Sequence, residues 1–140
     1  MACRRANHRR GATVVEFAMT IPVLLALLFG LIEFVRLHNI RHAADNASYE
    51  AARHAMVPGA SAADAVSAAE DYLTRAGVRG AKVAVTPSVI AEDTLRVTVQ
   101  VNVPLSANSW LPPHLTTNRN VSRQTSLMTE RVPSVQARAI

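Results

Sequence analysis

A glycine and a carboxylate lie close together at the start of the longest apolar stretch in the sequence. Gly11 ends a short basic segment, and Glu16 lies inside the apolar run that follows. A carboxylate within a membrane helix is costly and usually has a partner. Cleavage after Gly11 would create an amine on Ala12, about one helical turn from Glu16, and the two charges could neutralise each other within one chain or between neighbours. The alternative is an interfacial Glu16 that reaches the lipid headgroups.

The apolar run from Ala12 to Val35 must position these groups, and it contains only two formal charges, Glu16 and Glu33. A helix needs about 20 apolar residues to cross hydrocarbon, so this run spans a membrane if both glutamates lie near the interfaces. Arginines concentrated in residues 1–11 predict a cytoplasmic N-terminus and an extracytoplasmic remainder. A cleaved secretory signal fits less well, because no small-residue cleavage site follows the apolar run.

The charge and cysteine content exclude several classes of protein. The net charge of +5 comes mainly from the arginines of residues 1–11, and the rest of the chain is nearly balanced. No later segment clusters basic residues with aromatic ones, so nucleic acid is not a predicted partner. The single cysteine, Cys3, also lies before Gly11, which leaves no disulfide and no cysteine spacing for a metal site.

The segment from Arg9 to Arg36 combines these features in one register. Two arginines, Gly11, four further residues and the pair Glu16-Phe17 precede an apolar helix that contains Pro22. This pattern resembles a type IV prepilin processing site, and the whole segment resembles the TadE-like family. That family comprises pilin-like proteins of the tight-adherence (Flp-type) pilus systems of bacteria.

The resemblance implies a minor pilin or pseudopilin that acts in pilus assembly and surface adhesion. A prepilin peptidase would cut between Gly11 and Ala12, and Glu16 and Phe17 would then serve assembly, with Glu16 positioning an N-terminal amine. The implied partners are the prepilin peptidase, other pilins or pseudopilins of the same system, the assembly platform in the inner membrane, and the lipid bilayer. The protein would cross the inner membrane once, or reside in the pilus after assembly.

Helical periodicity continues beyond the apolar run. A narrow stripe predicts that the helix extends to Met56 and stops at Pro58-Gly59. We expect the stripe to pack on a small domain; packing on other subunits is the alternative. Its members are Leu37, Ile40, Ala44, Ala47, Ala51 and Ala55.

The remaining chain predicts one more helix and a small sheet. Ser61 can cap the helix and Gly77 can end it. Residues 82–103 predict a hairpin, and residues 121–130 predict a third strand. The second strand of the hairpin should bury one face, which carries Leu95, Val97, Val99, Val101 and Val103.

These elements together predict an α+β fold in which a long N-terminal transmembrane and stalk helix precedes a small helix and a two- to three-stranded antiparallel sheet. The predicted segments are a basic leader (1–11), a transmembrane helix (12–36), a helical stalk (37–57), a small extracytoplasmic α+β domain (60–132) and a loose tail (133–140).

No arrangement of side chains in the sequence supports catalysis, a cofactor or a metal. His38 and His42 share a helix face, but a zinc site needs a third and usually a fourth ligand. The alternative to a pilin is an uncut single-span membrane anchor that displays a small extracytoplasmic binding domain. That hypothesis leaves the spacing of Gly11 and Glu16-Phe17 unexplained. An envelope enzyme has the least support.

Overall fold

The computed structural model describes residues 7–91, 94–110 and 118–128, with residues 7–10 described by their backbone only. The predicted ends of the chain, residues 1–6 of the leader and the tail 133–140, lie outside these ranges. The described elements are α1 (Asn7–Ala55), α2 (Ala62–Arg75), β1 (Lys82–Thr86), β2 (Arg96–Pro104) and β3 (Asn120–Met128), with a short 3-10 helix at Leu105–Ala107. The predicted α+β fold is confirmed.

The chain divides into two compact units between Val35 and Arg36. In the first unit, every described residue from Gly11 to Ile32 is exposed, although most of these side chains are apolar. This part of α1 is long and apolar enough to cross a membrane. Pro22 lies within the helix, where it removes one backbone hydrogen bond.

The second unit has a core made almost wholly of alanine and valine. Alanines of α1 and α2 share one buried cluster with valines of the sheet, so small side chains fill the space between the elements. The predicted stripe on α1 is therefore confirmed as a core face from Ile40 to Ala55, whereas Leu37 is half-buried and lies outside the cluster. The α1 residues of this cluster are Ile40, Ala43, Ala44, Ala47, Ala51, Ala52 and Ala55.

Ala47 tests how tightly this core is packed, because its surface is fully buried. Replacing Ala47 with leucine should lower the free energy of unfolding by about 1–3 kcal/mol, since added methylenes have no room in a close-packed core. Urea unfolding of the full chain in detergent, followed by circular dichroism, measures the change. Ala63→Leu on the exposed face of α2 is the matched control, expected within about 0.5 kcal/mol of wild type. Equal stability of the two variants would contradict a close-packed α1.

The sheet has the order β1-β2-β3, and both pairings are antiparallel. The central strand β2 buries Val97, Val99, Val101 and Val103 completely, as the alternation predicts. Leu95 was predicted on the same face, and that prediction is wrong, because Leu95 is 59% exposed. It precedes β2 and the first residue pair with β3, so it lies beyond the covered part of the sheet.

The second helix begins and ends at the predicted residues. The Ser61 hydroxyl accepts a hydrogen bond from the Asp64 backbone N–H, while the Ser61 N–H donates to the Asp64 carboxylate at 2.9 Å. The Ser61 backbone N–H and then its hydroxyl hold the pKa of Asp64 below its usual value. Gly77 follows the helix with φ +73°, a left-handed conformation that glycine adopts without strain. The buried face of α2 comprises Ala65, Ala69 and Leu73.

Candidate functional site

The bond between Gly11 and Ala12 lies inside α1, which begins four residues earlier at Asn7. A Cβ atom built on Gly11 would have no neighbour within 4 Å. The fold itself therefore leaves room for a side chain at this position. Glycine within a helix costs about 0.5–1 kcal/mol relative to alanine, so Gly11 weakens the helix locally.

Glu16 lies four residues after Ala12 on the same continuous helix. Residues at this spacing are neighbours on one helix face, so the backbone places the Ala12 nitrogen and the Glu16 side chain along the same side of α1. The backbone carbonyl of Glu16 accepts a hydrogen bond of 2.7 Å from the Thr20 hydroxyl. Glu16 and Phe17 are both exposed, which leaves them accessible to another molecule.

A continuous apolar surface surrounds these residues on the first unit. Soluble monomers rarely expose apolar patches of more than a few hundred Å², and larger ones mark membrane or protein contacts. Beyond Phe17, the exposed large apolar residues of this unit are Val14, Val15, Met19, Ile21, Val23, Leu24, Leu25, Leu27, Leu28, Phe29, Leu31, Ile32, Phe34 and Val35.

Comparison with protein families gives a match between residues 11–53 and the model of the TadE-like protein family. We call residues 11–53 the TadE-like segment, because they are similar to that family. The match begins at Gly11, covers about a third of the chain and confirms the resemblance seen in the sequence. It supports a protein associated with the tight-adherence pilus. Comparisons with curated proteins and with solved structures gave no match.

The TadE-like segment runs past the apolar residues into the part of α1 that belongs to the second unit. There His38 and His42 meet through their Nε2 atoms at 2.8 Å, with their rings perpendicular. Within the described ranges, no group of three or more histidine, cysteine or acidic residues could hold a metal ion. The histidine pair thus offers two ligands at most, short of a structural zinc site.

Polar contacts hold the TadE-like segment to β3. Asp45 Oδ1 lies 3.1 Å from Arg123 Nε, an ionic contact whose Nε–H is not aligned for a hydrogen bond. The Ser48 hydroxyl donates to the Asp45 carbonyl at 2.8 Å and lies 2.6 Å from the Thr125 hydroxyl. These contacts fix the rotation of α1 on the sheet, so the alanine face is the one that is buried.

Asn108 is a buried polar residue that the sequence did not indicate. It is 3% exposed and directly follows the 3-10 helix at Leu105–Ala107. Its side chain accepts from the Arg79 N–H at 2.8 Å and donates to the Arg79 and Pro104 carbonyls at 2.7 and 2.9 Å. Its own carbonyl accepts a hydrogen bond from Arg36 Nε of the TadE-like segment. No local pattern signals this role, because Arg79 and Arg36 are 29 and 72 positions away in sequence.

Proposed function

We propose that this protein is a minor pilin or pseudopilin of a tight-adherence pilus system and acts in pilus assembly and surface adhesion. The observation that carries the proposal is the register of Gly11 and Glu16 at the start of an exposed apolar helix, within a segment that matches the TadE-like family. The apolar part of α1 would hold the subunit in the inner membrane with its N-terminus in the cytoplasm.

The first step would be hydrolysis of the Gly11–Ala12 peptide bond by a prepilin peptidase on the cytoplasmic face. Water adds across the bond, the leader leaves with a carboxylate on Gly11, and Ala12 gains an amine. An α-amine has a pKa of about 8 and is protonated at neutral pH. The new ammonium and the Glu16 carboxylate are neighbours on the helix, so cleavage supplies a partner for Glu16 at the edge of the hydrocarbon.

The second step would be transfer of the helix from lipid to a bundle of pilin helices. Every described residue from Gly11 to Ile32 is exposed, and this surface must be covered by lipid or by other subunits. Lipid tails are as apolar as leucine, so exchanging lipid for another helix is driven by close packing and polar contacts. In this proposal the polar contact is between the Ala12 amine of one subunit and Glu16 of the same or a neighbouring subunit.

Cleavage is tested by the intact mass and N-terminal sequence of the protein purified from membranes. We expect the chain to begin at Ala12 when the prepilin peptidase is active and to keep its leader when the peptidase is inactivated. Gly11→Val should block cleavage even with active peptidase. A valine side chain has open space at Gly11 in this chain, so its effect would come from the fit of the scissile bond in the peptidase.

Gly30→Val is the matched control, because Gly30 lies in the same helix and also has no atom within 4 Å of a built Cβ. We expect this variant to be cleaved normally. A mature chain that keeps Arg9 and Arg10 in the presence of active peptidase would replace the proposal with the uncut membrane anchor. A chain that begins after Val35 would indicate a secretory signal instead.

A further inference from the structure

The single tryptophan of the protein lies on the surface of the second unit. Trp110 is 69% exposed and lies just beyond the loop that Asn108 organises. The indole ring has a large apolar body and one N–H donor, so it is a poor water-facing group. Tryptophan is enriched at membrane interfaces, where an apolar region meets a wet one.

The Trp110 ring lies against Arg36 of α1. The Arg36 guanidinium carbon is 5.1 Å from the centre of the Trp110 ring, which is within the range of a cation–π contact. Arg36 directly follows Val35, the last residue of the apolar run. Trp110 therefore contacts the residue that directly follows the apolar run in sequence.

Partly buried hydrogen bonds hold this position. Arg36 Nε donates to the Asn108 carbonyl, and the Asn108 side chain is anchored to Arg79 and Pro104. The Ser109 N–H also donates to the Leu105 carbonyl at 2.8 Å. The residues immediately before Trp110 are therefore fixed to the core, and the exposed indole is presented from a rigid support.

We propose that Trp110 and Arg36 form a lipid-contact site in the headgroup region of the leaflet where α1 leaves the membrane. The proposal rests on α1 spanning the membrane, as in the proposed function. The indole lies between headgroups and acyl chains, and the guanidinium binds lipid phosphate oxygens through its N–H donors. The occupant is lipid because the pair is continuous in sequence with the apolar run and combines a cation with an amphipathic ring. The site holds the unassembled subunit against the bilayer surface.

The test uses Trp110 as its own fluorescent probe in the full chain. The protein is reconstituted into nanodiscs of phosphatidylcholine and phosphatidylglycerol, with or without lipid brominated near the headgroup end of the acyl chains. We expect the brominated lipid to quench Trp110 emission roughly twofold, because interfacial indoles lie at that depth. Arg36→Gln should lose about half of this quenching, because it removes the cation that binds both the ring and phosphate.

Two variants in a Trp110→Phe background calibrate the depth. Val89→Trp places the probe at a position that is 76% exposed on the loop after β1, and it should not be quenched. Phe29→Trp places the probe in the apolar run and should be quenched best by lipid brominated deep in the bilayer. If the Phe29→Trp probe is not quenched by deeply brominated lipid, α1 does not span the membrane. Both the lipid site and the proposed function would then be wrong.

Quenching of Trp110 no stronger than that of the Val89→Trp variant would overturn the lipid site while leaving the span intact. The lipid site would also be overturned if Trp110 became protected from aqueous acrylamide only as the protein-to-lipid ratio rises. That result would assign the surface to a second copy of the protein. Unchanged quenching in Arg36→Gln would overturn the part of the proposal that gives Arg36 a role.

Discussion

Replacing Glu16 with alanine is expected to leave cleavage after Gly11 intact and to reduce the protein found in sheared pili by at least about tenfold. Cleavage leaves an ammonium on Ala12, and without Glu16 this charge has no neighbouring carboxylate at helical spacing. An unpaired charge costs about 2.5–3.5 kcal/mol at the centre of the bilayer and less near the interface, and about 1.4 kcal/mol already corresponds to a tenfold change in an equilibrium. Immunoblots of sheared pili and membranes measure incorporation, and N-terminal sequencing checks cleavage.

Two further variants separate charge from other effects. Glu16→Gln keeps the size of the side chain and should fail as Glu16→Ala does, because only the charge is lost. Glu50→Ala makes the same change on the same helix, where Glu50 lies 3.3 Å from His54 beyond the apolar run, and it should assemble normally. Wild-type amounts of the Glu16→Ala protein in pili would show that the carboxylate has no part in assembly.

Replacing Asn108 with alanine is expected to lower the free energy of unfolding of the second unit by about 3–5 kcal/mol. The change removes hydrogen bonds to the N–H and carbonyl of Arg79 and to the carbonyl of Pro104. A buried polar group left without its partner costs about 1–3 kcal/mol. Small domains are stable by only about 5–15 kcal/mol, so the loss is a large fraction of the total. Urea unfolding of the full chain in detergent measures it.

The matched control is Asn46→Ala, which removes a single exposed hydrogen bond of 3.1 Å to the Tyr72 hydroxyl. We expect a loss of no more than about 0.5–1.5 kcal/mol there. Asn108→Asp keeps the acceptor for the Arg79 N–H and loses both donors, so it should be destabilised as well. If Asn108→Ala and Asn46→Ala unfold at the same urea concentration, the hydrogen bonds of Asn108 do not stabilise this unit.

Side-chain periodicity was enough to predict most elements of the fold. Four alternating valines predict β2, and the alanine spacing predicts the buried face of α1, because each period reflects which side of the element meets the core. Pro58-Gly59 and Gly77 marked the helix ends through backbone chemistry alone. Leu95 continued the alternation in sequence but lies outside the paired part of the strand. The end of a strand depends on its pairing with neighbouring strands. The sequence of one strand does not show where that pairing ends.

At the candidate site, too, features that depend on local sequence could be predicted, and contacts between distant residues could not. Gly11 and Glu16 were singled out from their spacing along the sequence, and their roles in cleavage and assembly stay predictions. The contacts of Arg36 with Asn108 and Trp110 were not found. They join residues more than seventy positions apart, and neither tryptophan nor asparagine in a loop signals its partner in advance.

A core of alanine and valine has a thermodynamic consequence for the second unit. Alanine loses no side-chain rotamers when it is buried, so the helices are ordered at low entropic cost. Each alanine also removes less apolar surface from water than leucine would, and the heat capacity of unfolding scales with that surface. The second unit should therefore have a flatter stability curve than a leucine-rich domain of its size. We therefore expect the free energy of unfolding of this unit to vary less with temperature than that of a leucine-rich domain.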